Sequence, residues 1–327
     1  MFPENLLSQI PQKSFLVTGG AGFIGSNLIG FLLKNNAKEV RVLDNFSTGY
    51  EANIQEFFSN PSFKLITGDI TVFEDCKNAT HNIDYVLHQA ALGSVPRSIA
   101  DPITTNNTNI NGFLNMLYAS VANKVKRFVY ASSSSVYGND TTMPKVEVKT
   151  GELLSPYAVT KKANELYADV FYKTYGLEVI GLRYFNVFGP KQNINGPYAA
   201  VIPIFINELL NKRSPRIFGD GSTTRDFTFI ENVVQANLLA AMTENKEAIN
   251  QVFNIAFGGT TSLNELFRII AKTLNSKIQP EFHSERKGDI KDSFADISKA
   301  KNLLNYKPEV DIINGLKITV NWYENQL

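Results

Sequence analysis

The stretch Phe15-Leu16-Val17-Thr18-Gly19-Gly20-Ala21-Gly22-Phe23-Ile24-Gly25 decides the fold. Its apolar start reads as a buried strand, and the amphipathic stretch Ser26 to Lys34 reads as the helix that follows. Between them Gly19, Gly22 and Gly25 permit a tight turn, close approach of backbone to phosphate, and close packing of helix on strand. The N-terminus of such a helix offers unpaired N–H groups and the positive end of its dipole to a pyrophosphate. The next apolar run, Glu39 to Asp44, ends in a carboxylate where the adenosine ribose hydroxyls of a dinucleotide are gripped. A carboxylate repels the extra phosphate of NADP, and Asn45, Phe46 and Ser47 supply no cation, so NAD is the expected cofactor. Asp69 and Ile70, after a third apolar run from Phe63 to Thr67, are placed to flank the adenine.

Working outward, Tyr85 to His88, Arg127 to Ala131 and Glu178 to Arg183 read as further strands. Helical patterns cover Asn111 to Ala122 and Pro156 to Tyr175. Alternation of strand and helix predicts an α/β fold, a Rossmann-type doubly wound parallel sheet with helices on both faces. After about residue 186 the regularity falls, and Gly-Pro, Asn-Gly-Pro and Gly-Asp-Gly clusters mark loops. The expected division is a cofactor-binding domain over residues 1–185 and a smaller C-terminal α/β substrate-binding domain over 186–327. Some later segments are expected to return to the sheet.

The bulk numbers exclude several classes. The chain has 327 residues, 43% of them hydrophobic, enough to bury a sizeable core. Lys plus Arg total 32 against 31 for Asp plus Glu, so no basic excess argues for nucleic acid or a membrane surface. The single cysteine, Cys76, allows no intramolecular disulfide and fits a reducing compartment. The first ten residues do not read as a signal peptide, and no apolar stretch has the length of a membrane span, so a cytoplasmic protein is expected. His81, His88 and His283 lack metal-ligand spacing, and no catalytic metal is expected.

Tyr157 and Lys161 stand four residues apart on the predicted helix and so share a face. A free phenol, with a pKa near ~10, is a poor base at neutral pH. A nearby ammonium and an oxidised nicotinamide would lower that value. The run Ser132 to Ser135 ends an apolar strand and precedes Val136-Tyr137-Gly138, and a hydroxyl there can share a proton with the tyrosine. A dinucleotide site with an acid/base tyrosine points to hydride transfer at a carbon bearing oxygen.

Thr-Gly-x-x-Gly-x-x-Gly, Ser-Ser-Ser-x-Val-Tyr-Gly, Ser-Pro-Tyr-x-x-x-Lys and Arg-Tyr-Phe-Asn-Val-Phe-Gly-Pro occur in order from about Lys13 onward. Together they resemble the extended short-chain dehydrogenase/reductase family, and within it the UDP-sugar 4-epimerases, especially those acting on UDP-N-acetylglucosamine. His88 to Pro96, Tyr198 to Pro203 and Thr224-Arg225-Asp226-Phe227 are similar to that subgroup. The resemblance implies Tyr157 as base, Lys161 as its partner and Ser133 as the catalytic hydroxyl. The implied cofactor residues also include Phe23, Ile24, Ser47, Thr48, Gly49, Gln89, Ala90, Ala91, Asn109, Ser132 and Tyr184. Gly93, Ser94 and Ser134 would lie near the sugar. Asn186, Ala200 and Val201 would contact sugar or uridine diphosphate, Arg225 and Arg286 would neutralise the diphosphate, and Asp289 would accept from the nucleotide ribose.

Sugar-nucleotide dehydratases and decarboxylases of this fold carry carboxylates just before Val-Tyr-Gly, where this chain has Ser134 and Ser135. Water elimination needs such a group, and epimerisation does not. Ser293 stands where a bulky residue, often tyrosine, narrows the sugar pocket in the family. A serine leaves room for an N-acetyl group. Arg216-Ile217-Phe218 departs from the more polar residues expected beside the uridine, and Thr260 replaces a basic residue. The expected activity is interconversion of UDP-N-acetylglucosamine and UDP-N-acetylgalactosamine, with plain and uronic acid forms as further candidates, by a homodimer. A net oxidoreductase or a non-catalytic sensor on the same fold is the alternative.

Overall fold

A computed structural model of the chain describes residues 4–194, 200–285 and 292–326. Seven strands form the central sheet: β1 (Ser14–Thr18), β2 (Glu39–Asp44), β3 (Phe63–Thr67), β4 (Tyr85–His88), β5 (Arg127–Ser133), β6 (Glu178–Tyr184) and β7 (Gln251–Ile255). All pair in parallel, in the spatial order β7-β6-β5-β4-β1-β2-β3. The chain winds outward from β1 through β2 to β3, then returns to lay β4 on the other side of β1. That reversal leaves a crevice beyond the carboxyl ends of β1 and β4, where open α/β sheets bind ligands.

Both faces are covered, which is why β1 and β4 are buried along their whole length. Alternation divides β1 between two cores: Phe15 and Val17 join one, Leu16 the other. The first core takes Leu28, Ile29 and Leu32 of helix α1 (Phe23–Lys34). The second takes Cys76 of α2 (Phe73–Thr80), Phe113 and Leu117 of α3 (Phe113–Ala122), and Ala168 and Phe171 of α4 (Pro156–Tyr175). Helix α5 (Ile230–Met242) lies on the first face and is buried almost throughout. The expected doubly wound sheet is therefore present.

Helix α4 carries its own boundary signals. Ser155 Oγ accepts from the Ala158 N–H at 3.1 Å, Pro156 occupies the first turn, and Gly176 ends the helix at φ 72°. Some boundaries differ from expectation. Helix α1 starts at Phe23 rather than Ser26, because Gly22 already stands at its N-cap. Strands β5 and β6 run on to Ser133 and Tyr184, since Ser132 pairs with Arg183 and Ser133 with Tyr184. Residues Asn107–Gly112 form a π-helical stretch ahead of α3, a local widening often found at functional sites. Beyond residue 186, β7 and α5 return to the central sheet, and short strands build smaller sheets. One of these joins Thr261–Ser262, Thr224–Arg225 and Asp292–Ser293.

Candidate active site

A cleft of about 330 Å³ opens at the carboxyl ends of the central strands. Gly19, Gly22, Phe23, Ile24 and Gly25 line it, with Asp44, Asn45, Ser47, Thr48 and Gly49 and with Asp69, Ile70, Gln89, Ala90 and Ala91. The turn is shaped for a dinucleotide. Gly19 sits at φ 68°, and a Cβ there would come within 2.8 Å of Ala90 Cα. A Cβ on Gly25 would lie 2.2 Å from the Gly19 carbonyl oxygen. The N-cap of α1 has no side-chain partner, which leaves its first-turn N–H groups to a ligand. Asp44 accepts from the N–H groups of Ala21 and Phe46, each at 2.8 Å. Burial pushes its carboxyl up, opposed by those two donors, and each oxygen keeps a lone pair for a ribose hydroxyl. These residues fit NAD.

Five expected cofactor residues do not line the cleft: Tyr157 and Lys161, the latter expected to hold the nicotinamide ribose, and Asn109, Ser132 and Tyr184, which are committed to other partners. Asn109 Oδ1 accepts from Leu92 N at 2.8 Å, and its Nδ2 donates to Leu92 O and to Thr160 Oγ1, both at 3.1 Å. Ser132 Oγ donates to Glu165 Oε1 at 2.7 Å, and Glu165 in turn holds Arg183 through two bonds of 2.8 and 2.9 Å. The Tyr184 hydroxyl donates to Gln89 Oε1 at 3.1 Å and accepts from Asn237 Nδ2 at 2.8 Å. Each orients a residue or strand that the cleft uses. Conversely, Tyr50, Asn53, Thr108, Lys191 and Asn193 line the cleft without having been foreseen. The Gly189-Pro190 loop signal preceded Lys191, but nothing in the sequence aimed it at the glycine turn.

Ser133 ends β5, its Oγ accepts from the Ser135 N–H at 3.1 Å, and its hydroxyl stands near enough to Tyr157 to favour the phenolate. The Tyr157 N–H donates to Ser98 Oγ at 3.0 Å, which fixes the first turn of α4. One turn on, Lys161 Nζ lies 5.9 Å from the Tyr157 ring centroid and donates to the Ala131 carbonyl at 2.8 Å. Lys161 is 2% exposed, and burial pushes its ammonium down to about 8. The expectation that Lys161 lowers the phenol is not met here. Burial dominates and holds Tyr157 above its ordinary value, with the Ser133 hydroxyl opposing. His88 is pushed down to about 3 by burial and by the Lys161 charge, so it stays neutral and takes no part as an acid. Positions Ser134 and Ser135 form a short turn after Ser133 and bring no carboxylate.

A second cleft, about 950 Å³, lies among the later segments. Asn186, Val201 and Arg225 line it as expected, and Arg213, Arg216 and Phe218 join them. Ile217 is buried in the core instead. Asn186 Nδ2 donates to the Asp226 carbonyl at 3.0 Å. Ala200 caps the helix Val201–Leu210, and Ser293 pairs with Arg225 across adjacent strands. Gly93 lines the first cleft, and Ser94, at φ 101°, caps the helix Val95–Ala100. Arg286, Asp289 and Tyr198 lie outside the described residues. Among the described residues no group of three or more His, Cys, Asp or Glu could hold a metal ion, and no helix is long and apolar enough to cross a membrane.

The model of the NAD dependent epimerase/dehydratase family matches residues 15–256. The chain belongs to that family. It is 41% identical to a UDP-N-acetylglucosamine 4-epimerase from Methanobrevibacter ruminantium solved with UDP-N-acetylmuramic acid, with a TM-score of 0.91 over 96% of this chain and 99% of that one. A UDP-glucuronic acid 4-epimerase from Bacillus cereus, solved with UDP-glucuronic acid and NAD, shares 33% identity and a TM-score of 0.88 over 96% and 100% of the two chains. A putative UDP-glucose 4-epimerase of Methanocaldococcus jannaschii is 38% identical over 95% of this chain and 98% of its own. The resemblance to the extended short-chain dehydrogenase/reductases and their UDP-sugar 4-epimerases is borne out, and NAD is the family's cofactor.

The buried ammonium has a measurable consequence. Its pKa falls from 10.5 unfolded to about 8 folded, so between those values the unfolded chain binds more protons than the native one. Stability from this group therefore rises with pH across that window, and at pH 7 the buried charge costs about 3 kcal/mol. Replacing Lys161 by Met should raise stability at pH 7 by about 2 kcal/mol, after about 1 kcal/mol is lost at the Ala131 carbonyl. Urea denaturation at pH 7 and pH 10 should show the gain shrinking at the higher pH.

Proposed function

We propose that this enzyme interconverts UDP-N-acetylglucosamine and UDP-N-acetylgalactosamine by inverting carbon 4. The observation that carries the reading is the Tyr157 phenol, with the Ser133 hydroxyl near enough to favour its phenolate and the Lys161 ammonium one turn on, and with no carboxylate at Ser134 or Ser135. Tyr157 takes the proton of the 4-hydroxyl, and Ser133 steadies the oxygen as it becomes a carbonyl. NAD, when bound, supplies the acceptor and then the donor of a hydride. The 4-keto sugar turns about its link to the diphosphate, so that hydride would return to the opposite face of carbon 4 while Tyr157 returns the proton to the 4-oxygen. Arg225 and Asn186 hold the diphosphate meanwhile, so remote binding energy serves the chemistry. In this reading residues 1–185 hold the cofactor and residues 186–327 mainly hold the UDP-sugar.

The acetylated substrate is favoured by Ser293, whose small side chain stands beside Arg225, and by the likeness to the Methanobrevibacter enzyme. A homodimer through α3 and α4 is part of the proposal. Helix α4 leaves Leu166 60% and Val170 52% exposed, and α3 leaves Tyr118 51% exposed, an apolar face that a second copy would cover.

Incubation with a panel of UDP-sugars, read by NMR, should show epimer mixtures with no net change in reduced nicotinamide absorbance. Tyr157→Phe should lower turnover by about 10²–10⁴ or more; near-normal turnover would remove the assignment. Ser293→Tyr should depress turnover of UDP-N-acetylglucosamine more than that of UDP-glucose, and an unchanged ratio excludes the gate. Leu166→Asp should shift the protein from dimer to monomer in sedimentation experiments.

A further inference from the structure

The cofactor cleft is bordered by residues from two distant parts of the chain. One is the segment around Tyr50 to Glu56, which continues from the adenosine side of the cleft. The other is Pro190 to Asn193, which arrives from beyond β6. Four ties join this second segment to its surroundings. Lys191 Nζ donates to the Asn53 carbonyl and to Glu56 Oε1, both at 2.7 Å, and stands 4.9 Å from the Phe57 ring centroid. Asn193 Nδ2 donates to the Tyr50 hydroxyl at 2.8 Å. Asn27 Nδ2, on the cofactor helix α1, donates to the Pro190 carbonyl at 3.1 Å. The Tyr323 hydroxyl donates to the Gln192 carbonyl. Lys191 sits at φ 70°, a conformation an L side chain adopts only when its surroundings hold it there. Lys191, Asn193, Tyr50 and Asn53 all line the cofactor cleft.

We propose that Pro190–Asn193 is a strap across the cofactor cleft, fastened by the Lys191–Glu56 pair and the Asn193–Tyr50 bond, that slows escape of the dinucleotide between turnovers. Three bonds reach over from the strap to Tyr50–Glu56, so the dinucleotide leaves only after both segments separate. The Lys191 side chain is 15% exposed and Glu56 61% exposed, so the ion pair is reached and weakened by salt. Retention therefore depends on ionic strength through this one pair. The inference rests on the epimerase reading only for its purpose, since an enzyme that regenerates its cofactor each cycle gains by never releasing it. Retention itself requires only that NAD binds.

The test uses the full chain purified with its dinucleotide. Loss of bound nucleotide is followed by exchange against a fluorescent etheno-NAD, at low and high salt. Lys191→Ala should speed loss by about tenfold, and Glu56→Gln by about threefold to fivefold, the factor a partly exposed ion pair carries. The Lys191→Ala/Glu56→Gln double variant should lose it no faster than Lys191→Ala alone, because with Lys191 gone Glu56 has no strap partner left to lose. Lys191→Arg should restore slow loss. Salt should speed loss from the natural protein and leave Glu56→Gln almost unchanged. Glu56→Gln alters an exposed side chain, so it keeps the test decisive should Lys191→Ala fail to fold. Loss within twofold of the natural rate in Glu56→Gln, at both salt levels, overturns the strap. Altered loss in a protein whose UDP-sugar panel shows no epimers would sustain the strap and remove the epimerase reading instead.

Discussion

The site depends on one close approach of backbone to backbone, that of Gly19 to Ala90. Gly19 N–H donates to the Leu43 carbonyl at 2.9 Å, and Gln89 N–H donates to the Thr18 carbonyl at 3.1 Å. The end of β1 is thereby stitched to β2 on one side and β4 on the other, and the cleft opens where those three ends diverge. The contact propagates. Beyond Ala90 and Ala91 comes Leu92, whose N–H and carbonyl are both held by Asn109. Asn109 also donates to Thr160 Oγ1, and Thr160 Oγ1 donates to the Tyr157 carbonyl at 2.8 Å. A chain of short contacts thus runs from the glycine turn to the catalytic helix. Cofactor cleft and phenol are placed by one connected framework.

Within that framework the charges are left deliberately uneven. Glu165 sits one turn beyond Lys161, but its carboxylate is committed to Arg183 and Ser132. Lys161 donates to a carbonyl, and burial lowers its pKa without a carboxylate to offset it. A buried ammonium of this kind costs stability in the empty protein and gains strength as an electrostatic partner, because the surrounding dielectric is low. The phenol of Tyr157 is held up by the same burial. It therefore stays protonated until a further positive charge arrives beside it, such as that of oxidised NAD. In the proposed mechanism this would tie proton transfer to the presence of the oxidant, so that the base forms where a hydride acceptor stands ready.

Local patterns made the sheet legible. Strands β1 to β4 were readable as apolar runs, and α4 from its Ser-Pro start and Gly stop. The fifteen expected cofactor residues that line the cleft belong to strand ends and the segments that follow them, which doubly wound topology brings together. Lys191 and Asn193 were not legible, because they meet Glu56 and Tyr50 only after more than 130 residues of intervening chain. Ser132 and Tyr184 read as contacts because motifs record position but not direction. Their hydroxyls turn toward Glu165 and Gln89. The raised pKa of the phenol in the protein alone is not legible in the sequence for a related reason. Sequence shows the neighbouring charge, whereas desolvation is a property of packing.

Asp226 shows how the substrate side is held in register. It is 1% exposed, and its carboxylate accepts from the N–H groups of Phe257, Gly258 and Ala295. Burial pushes it up to about 6 against those donors. Its own N–H donates to the Ser293 carbonyl at 2.9 Å. The strands Thr224–Arg225 and Asp292–Ser293 are thus pinned immediately beyond their pairing, with Ser293 opposite Arg225. Cα partners in a parallel pair present their side chains to the same face, and a slip of one residue would reverse that face. The relative placement of Ser293 and Arg225, the residues proposed to admit the sugar and to hold the diphosphate, is therefore set by one buried carboxylate. A larger side chain at 293 would crowd the Arg225 guanidinium, so in the proposed reading selectivity for sugar size and strength of diphosphate binding would be coupled.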